Sequence, residues 1–107
     1  MKRGSVWWVE FDPSIGSEIQ KTRPAVIVSN DTANKYLSRV VVIPLTSNVS
    51  RIYPGEAVVT VDKVKNKAMT DQIMSADKSR LKNKIEELSD VDMLSIETAM
   101  KSFFTLL

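Results

Sequence analysis

Apolar positions recur along this chain in two rhythms. Over the first three quarters they come as short runs broken by turn residues; over the last quarter they step by three and four. The run SVWWVEF (5–11) is rich in β-branched and aromatic residues and stops at Asp12-Pro13, which predicts a strand. Alternation puts Val6 and Trp8 on one face and Trp7, Val9 and Phe11 on the other, so both faces are expected to be covered. AVIVS (25–29) predicts a second strand closed by Asn30-Asp31, and 31–37 a short helix capped by Asp31 or Thr32. RVVVIPLT (39–46) is a third strand, with Pro44 marking an edge or a bulge because proline cannot donate to a ladder. The segment 47–55 is a loop ending in Pro-Gly, 56–61 a fourth strand, and 68–77 one or two more.

The second rhythm begins at Leu88. Ser89 followed by Asp92 predicts a capping box, with Leu88 and Met93 as its hydrophobic staple. Met93, Ile96, Met100, Phe103 and Leu107 then form one stripe, which predicts an amphipathic helix of about 16 residues. Such a stripe is the usual way a helix docks, so it is read as core or dimer interface rather than a ligand site. Five or six short sequential strands imply an antiparallel sheet that must curl to protect its edges. The expected fold is mainly β within the α+β class: a small closed antiparallel barrel with a C-terminal α-helix, one domain over 1–107.

Composition narrows the chemistry. With 107 residues, 43% hydrophobic and 26% charged, the chain has ordinary globular composition and room for a modest core. No apolar run approaches the roughly 20 residues that span a bilayer, and the first residues do not resemble a signal peptide. The expectation is a cytoplasmic protein without membrane contact. There is no cysteine and no histidine. Disulfides, thiolate chemistry and imidazole-based triads are thereby excluded, and a protein-built zinc site is not expected. Residues 1–85 hold 14 Lys or Arg against 8 Asp or Glu, and 86–107 one Lys against five acids. A basic body with an acidic tail is mild evidence for a polyanionic partner. The alternating cations Lys63, Lys65 and Lys67, and Lys78, Arg80, Lys82 and Lys84, are read as solubilising rows in extended chain.

Four motifs occur in register: RGSVWWVEFDP, then GSE with RPAVIVSND, then VVVIPLTSN, then DQIMSADKSRL. Together they resemble the MazF/PemK family of toxin endoribonucleases from toxin–antitoxin systems, over essentially the whole chain. The resemblance implies an SH3-like barrel, a homodimer, metal-independent cleavage of single-stranded RNA with no cofactor, and neutralisation by an antitoxin protein expected to be acidic. It places the catalytic arginine at Arg23 and the catalytic threonine at Thr46. Glu18 corresponds to the loop carboxylate and Asp71 to the acid of the DQI segment. Ser17 stands where some PemK-like members carry histidine, and Met69 where they carry arginine. The Arg and Thr pairing is therefore carried over and the PemK-type acid and base are not.

RNA brings its own nucleophile, the ribose 2′-OH, so a chain without His or Cys can still cut it. The products would be a 2′,3′-cyclic phosphate and a 5′-OH. Arg23 offers a planar fork of donors to the phosphoryl oxygens but accepts a proton poorly. Thr46 offers one hydroxyl at a rigid strand end. Glu18 and Asp71 are the chemically better bases, and the choice between them stays open. The loop 14–22, with Glu18 and Lys21, and the loop 47–55, with Ser47, Asn48 and Tyr53, are expected to flank the pair and contact RNA, as are Asp71 and Gln72. Tyr53 suits base stacking. Two other readings share features with this one: a gyrase poison of the CcdB kind, whose Trp-Gly-Ile tail FFTLL lacks, and a non-catalytic RNA-binding module.

Overall fold

A computed structural model describes residues 1–107. Its strands are β1 (Ser5–Glu10), β2 (Thr22–Ile27), β3 (Arg39–Thr46), β4 (Ala57–Val61), β5 (Val64–Ala68), β6 (Met74–Asp77) and β7 (Leu81–Glu87). Helix α1 (Asp31–Tyr36) lies between β2 and β3, α2 (Asp90–Phe103) ends the chain, and 3-10 turns occupy Thr70–Gln72 and Lys78–Arg80. The sheet runs β4-β5-β3-β2-β1-β7, antiparallel throughout, with β6 paired to β3 as well. It curls as a half-barrel, and the backbone N–H of Asp62 after β4 donates to Glu86 Oε1 of β7 at 3.0 Å. The mainly β architecture with a C-terminal helix is the one the apolar pattern predicts.

Strands β2 and β3 run through the middle and are buried on both faces. Val26, Ile43 and Leu45 join Met93, Ile96 and Ala99 of α2 in one core cluster, while Ala25, Ile27, Val40 and Val42 join Val9, Phe11 and Leu81 in the other. This double burial is why both segments read as unbroken apolar runs rather than as alternation. The outer edge of β3 serves two partners in series, β6 over Arg39–Val42 and β5 at Leu45 and Thr46. Pro44 sits at the changeover, where its missing donor leaves no ladder bond unmade, and its carbonyl accepts from Met69 N at 2.9 Å. The expected irregularity at Pro44 is this change of partner.

Several expectations need correction. There are seven strands, because β5 and β7 lie in segments taken as connection or basic rows. The β4–β5 hairpin turns on Asp62 and Lys63, both at positive φ (48° and 64°), a geometry usually announced by Asn-Gly. Strand β2 starts at Thr22 rather than 25, so Arg23 and Pro24 lie within it. The ladder to β3 begins only at Ala25, so Pro24 has a strand on one side alone. The two faces of β1 divide as alternation expects, Val6 in one core cluster and Val9 and Phe11 with Trp7 in the other, but Trp8 is 41% exposed: it pairs with Pro24, where β2 has no partner in β3. The cap of α1 is Asn30, whose side chain accepts from Ala33 N.

Ser89 does cap α2, accepting from Asp92 N at 3.1 Å, and Leu88 and Met93 are both buried beside it. The Asp92 carboxylate does not close a box; it accepts from Thr60 N of β4 at 2.9 Å and so ties the helix to the sheet. The inward side of α2 is Met93, Ile96 and Ala99, with Met100 half-buried. Phe103 is 44% exposed and Leu107 lies beyond the helix in solvent. The stripe is thus shorter than its periodicity suggests, because the helix ends at Phe103 after 14 residues.

Candidate active site

Arg23 and Thr46 lie toward the same end of β2 and β3. Ala25 and Pro44 are the last partners of the β2–β3 ladder, and Arg23 and Thr46 each lie two residues beyond it. Both lie at the end of the two most buried strands, so a rigid core fixes their backbones. Arg23 is half-buried, and its Nε donates to the carbonyl of Gln20 at 3.0 Å. No ion pair uses its guanidinium, which leaves the terminal fork available for an outside anion. Thr46 Oγ1 accepts from Asn48 N at 3.3 Å, which turns the chain out of β3 and leaves the hydroxyl proton to donate. Ser47 and Asn48 follow directly, both exposed.

The loop between β1 and β2 is held at several points. Phe11 N donates to the carbonyl of Lys21 at 2.8 Å, and Lys21 takes a left-handed φ of 67° before the strand starts. Glu18 turns inward on its own loop, accepting from Ile15 N at 2.6 Å. Ile19 N donates to Gln72 Oε1 at 3.3 Å, which ties the loop to the 3-10 turn after β5.

On that turn, Asp71 and Gln72 line a cavity of about 320 Å³ together with Tyr53, Pro54, Gly55, Glu56, Met69 and Phe103. Three sequence-predicted residues, Tyr53, Asp71 and Gln72, therefore meet at one place. Arg23, Thr46, Glu18, Lys21, Ser47 and Asn48 do not line it. Gln72 links the two regions through Ile19, and the segment after Thr46 leads to Tyr53. Asp71 is exposed and makes no side-chain bond within the protein, unlike Glu18. Gly55, at φ 87°, lets Phe103 close in from α2: a Cβ there would stand 3.2 Å from the Phe103 Cβ.

One group of residues escaped the sequence reading. Lys67 lies opposite Thr46 in the β3–β5 ladder, and its Nζ is 3.2 Å from Glu56 Oε1 and 3.0 Å from the carbonyl of Arg51. The two ion-paired side chains are only 12% and 9% exposed. The same ammonium stands 5.1 Å from the Tyr53 ring centroid. Only the Asp62-Lys63 hairpin reveals that Lys67 reaches this position. The row from Lys78 to Lys84 is used structurally: Arg80 Nη1 donates to the carbonyls of Glu10 and Asp12, Lys82 pairs with Glu10, and Lys84 pairs with Glu87.

Two carboxyls are displaced from ordinary behaviour, and both belong to this framework rather than to the cavity. Asp77 is held below its usual range chiefly by the hydrogen bond from the Ser79 hydroxyl, helped by Ser79 N. Glu87 is lowered by the hydrogen bond and charge of Lys84, and then by Lys2. No three His, Cys, Asp or Glu side chains gather as a metal site. The working groups on offer are a guanidinium, a hydroxyl, carboxylates and an aromatic ring.

The family described as PemK-like, MazF-like toxin of type II toxin-antitoxin system matches residues 2–104. Endoribonuclease MazF9 of Mycobacterium tuberculosis is 36% identical over 110 aligned positions, covering 94% of this chain and 93% of its own length. Endoribonuclease MazF of Staphylococcus saprophyticus is 35% identical over 105 positions, covering 94% and 88%. Among solved structures, MazF of Deinococcus radiodurans superposes with a TM-score of 0.86 at 23% identity, covering 99% of this chain and 97% of that one. A mycobacterial endoribonuclease in complex with its cognate antitoxin gives 0.84 at 23% identity, covering 100% and 97%. At such identities the structural likeness speaks for the fold.

Proposed function

The chain belongs to the PemK-like, MazF-like toxin family of type II toxin–antitoxin systems, and on that premise we propose that it is a metal-independent endoribonuclease of single-stranded RNA. The observation that carries the reading is the Arg23 fork, engaged in no ion pair, at the same end of the two central strands as Thr46. The 2′-OH beside the scissile phosphate attacks the phosphorus, and the bond to the departing 5′-oxygen breaks. A 2′,3′-cyclic phosphate and a 5′-OH result. Arg23 binds the phosphoryl oxygens as charge grows on them, where one lost donor is worth on the order of 3 kcal/mol. Thr46 donates to a phosphoryl oxygen or orients the 2′-OH. Of the two candidate bases, Glu18 is occupied by its own loop, whereas Asp71 has no internal partner.

Lys21, Ser47 and Asn48 flank the pair as RNA contacts, and Tyr53, Asp71 and Gln72 supply the wall of the neighbouring cavity. The partner proteins are an acidic antitoxin, by its complementarity to a basic body, and a second copy of the chain. The dimer does not use the inner stripe of α2, since Met93, Ile96 and Ala99 serve the chain's own core; Val91 and Leu94 remain exposed on that helix. No helix is long and apolar enough to cross a membrane.

The test is cleavage of single-stranded RNA in excess EDTA. Cleavage should persist, should leave cyclic phosphate ends, and should spare a substrate with 2′-deoxyribose at the scissile position. Activity lost in EDTA and restored by magnesium would overturn the mechanism. Inhibition of DNA supercoiling by gyrase without RNA cleavage would favour the gyrase-poison reading instead.

A further inference from the structure

The ion pair between Lys67 and Glu56 is the least solvated in the molecule, with both side chains close to fully covered. Burying two charges is costly unless further bonds satisfy them. Here they are satisfied by the loop that leaves Thr46. Glu56 Oε1 also accepts from Tyr53 N at 2.7 Å, and Lys67 Nζ also donates to the carbonyl of Arg51 at 3.0 Å. The pair therefore grips the backbone on both sides of Ile52. The Tyr53 side chain is left half exposed (52%), with the covered ammonium 5.1 Å from its ring centroid and Arg51 Cζ at 6.0 Å. An exposed aromatic on an otherwise mobile loop loses affinity to its own disorder; a clamp removes that loss in advance.

We propose that the Lys67–Glu56 pair is a positioning device for substrate: it fixes Tyr53 at the mouth of the Asp71 and Phe103 cavity so that one base of single-stranded RNA stacks on its ring. This rests on the RNA-cleaving reading above. Lys67 and Glu56 act through Tyr53 and need not touch the reacting atoms. Since Lys67 is also the ladder partner of Thr46, the base on Tyr53 would be held on the same strand pair as the scissile phosphate.

A thermodynamic cycle tests this on the full chain with a single-stranded RNA oligonucleotide that the wild-type protein cuts. Removing one charge alone strands the other, so both are neutralised together as Lys67→Met with Glu56→Gln. That pair, and Tyr53→Leu separately, should each raise KM about tenfold, the scale of one lost base–aromatic stack, with a much smaller change in kcat. The triple variant should be no worse than either, because clamp and ring act as one unit. Hydrogen exchange at the Tyr53 amide should speed up in the neutralised pair and not in Tyr53→Leu. Losses that multiply in the triple variant, or a KM unchanged by neutralising the clamp, would overturn the inference while leaving RNA cleavage standing. A wild-type protein that cuts no RNA would overturn the reading beneath it.

Discussion

Strands β2 and β3 meet water at two ends, and the ends are built on opposite terms. At the α1 end the ladder continues past the strands: Val28 N donates to the carbonyl of Val41 at 2.9 Å, and Val41 N donates to Ser29 Oγ at 3.0 Å. Asn34, 3% exposed, donates through Nδ2 to the carbonyl of Ser29 at 2.9 Å and accepts the Ser29 hydroxyl. Every polar group named there has an internal partner. At the other end the ladder stops at Ala25 and Pro44, and beyond it the terminal fork of Arg23 and the hydroxyl proton of Thr46 are left unspent. The same two strands thus carry a sealed end and an open one. Polar groups that the fold has already satisfied contribute stability, and those it leaves unsatisfied at the surface are free to bind.

The largest effect that would break this contrast belongs to the open end. Arg23→Ala should lower cleavage by about a hundredfold or more, near 3 kcal/mol, with melting unchanged within a degree or two. Its only internal bond is to an exposed loop carbonyl, so the fold loses little. Arg23→Lys should recover part of the activity, because it keeps the charge and loses the fork. Turnover near wild type in Arg23→Ala would reduce this residue to surface dressing.

Next in size is the converse experiment at the sealed end. Asn34→Ala strands the groups around Ser29 and should cost about 2 kcal/mol, lowering the melting temperature by about 10 °C. Cleavage per folded molecule should not change. If instead activity falls with stability intact, the two ends are coupled and the contrast drawn here is wrong.

Thr46→Val comes third, an almost isosteric change that removes one hydroxyl. About a tenfold loss of cleavage is expected, since one neutral donor contributes less than a charged fork. The Arg23→Ala and Thr46→Val double variant should lose less than the product of the single losses if both hold one phosphate. Strictly multiplicative losses would show them to act on separate groups.

The unequal legibility of the chain follows from the same physics. The central strands announce themselves because burial on both faces leaves only apolar choices, and they carry Arg23 and Thr46 at their ends in any register that keeps those runs paired. Strand β7 stays hidden because Leu81 is its only fully buried side chain, so LKNKIEE reads as a charge run. Strand β5 hides behind a hairpin turn made of Asp and Lys at positive φ, and with it went the position of Lys67. Trp8 is exposed although the faces of β1 divide as alternation expects, because alternation assigns a face and not the cover over it. The roles proposed for Arg23 and Thr46 rest on family resemblance; the pairing of β2 with β3 sets both residues toward one end of the sheet. Neither would follow from composition.

The smallest predicted effect concerns acid. Asp77 and Glu87 both have folded pKa values lowered from their ordinary 3.8 and 4.5. A carboxyl of lowered folded pKa binds its proton more readily when unfolded, so its contribution is present above the ordinary value and fades as pH falls through the lowered one. Stability should therefore begin to decline as pH drops through the mid-fours and continue downward, by an amount kept small because both groups are exposed to solvent. Asp77→Asn should flatten the more acidic part of that decline and Glu87→Gln the earlier part, seen as melting temperature against pH. Both groups sit on the framework: Asp77 caps the turn after β6, and Glu87 pairs with Lys84 along β7. Neither variant should alter cleavage at neutral pH. An Asp77→Asn protein that melts normally across the acid range but cleaves poorly would place this turn in the site and redraw the boundary between the two kinds of end.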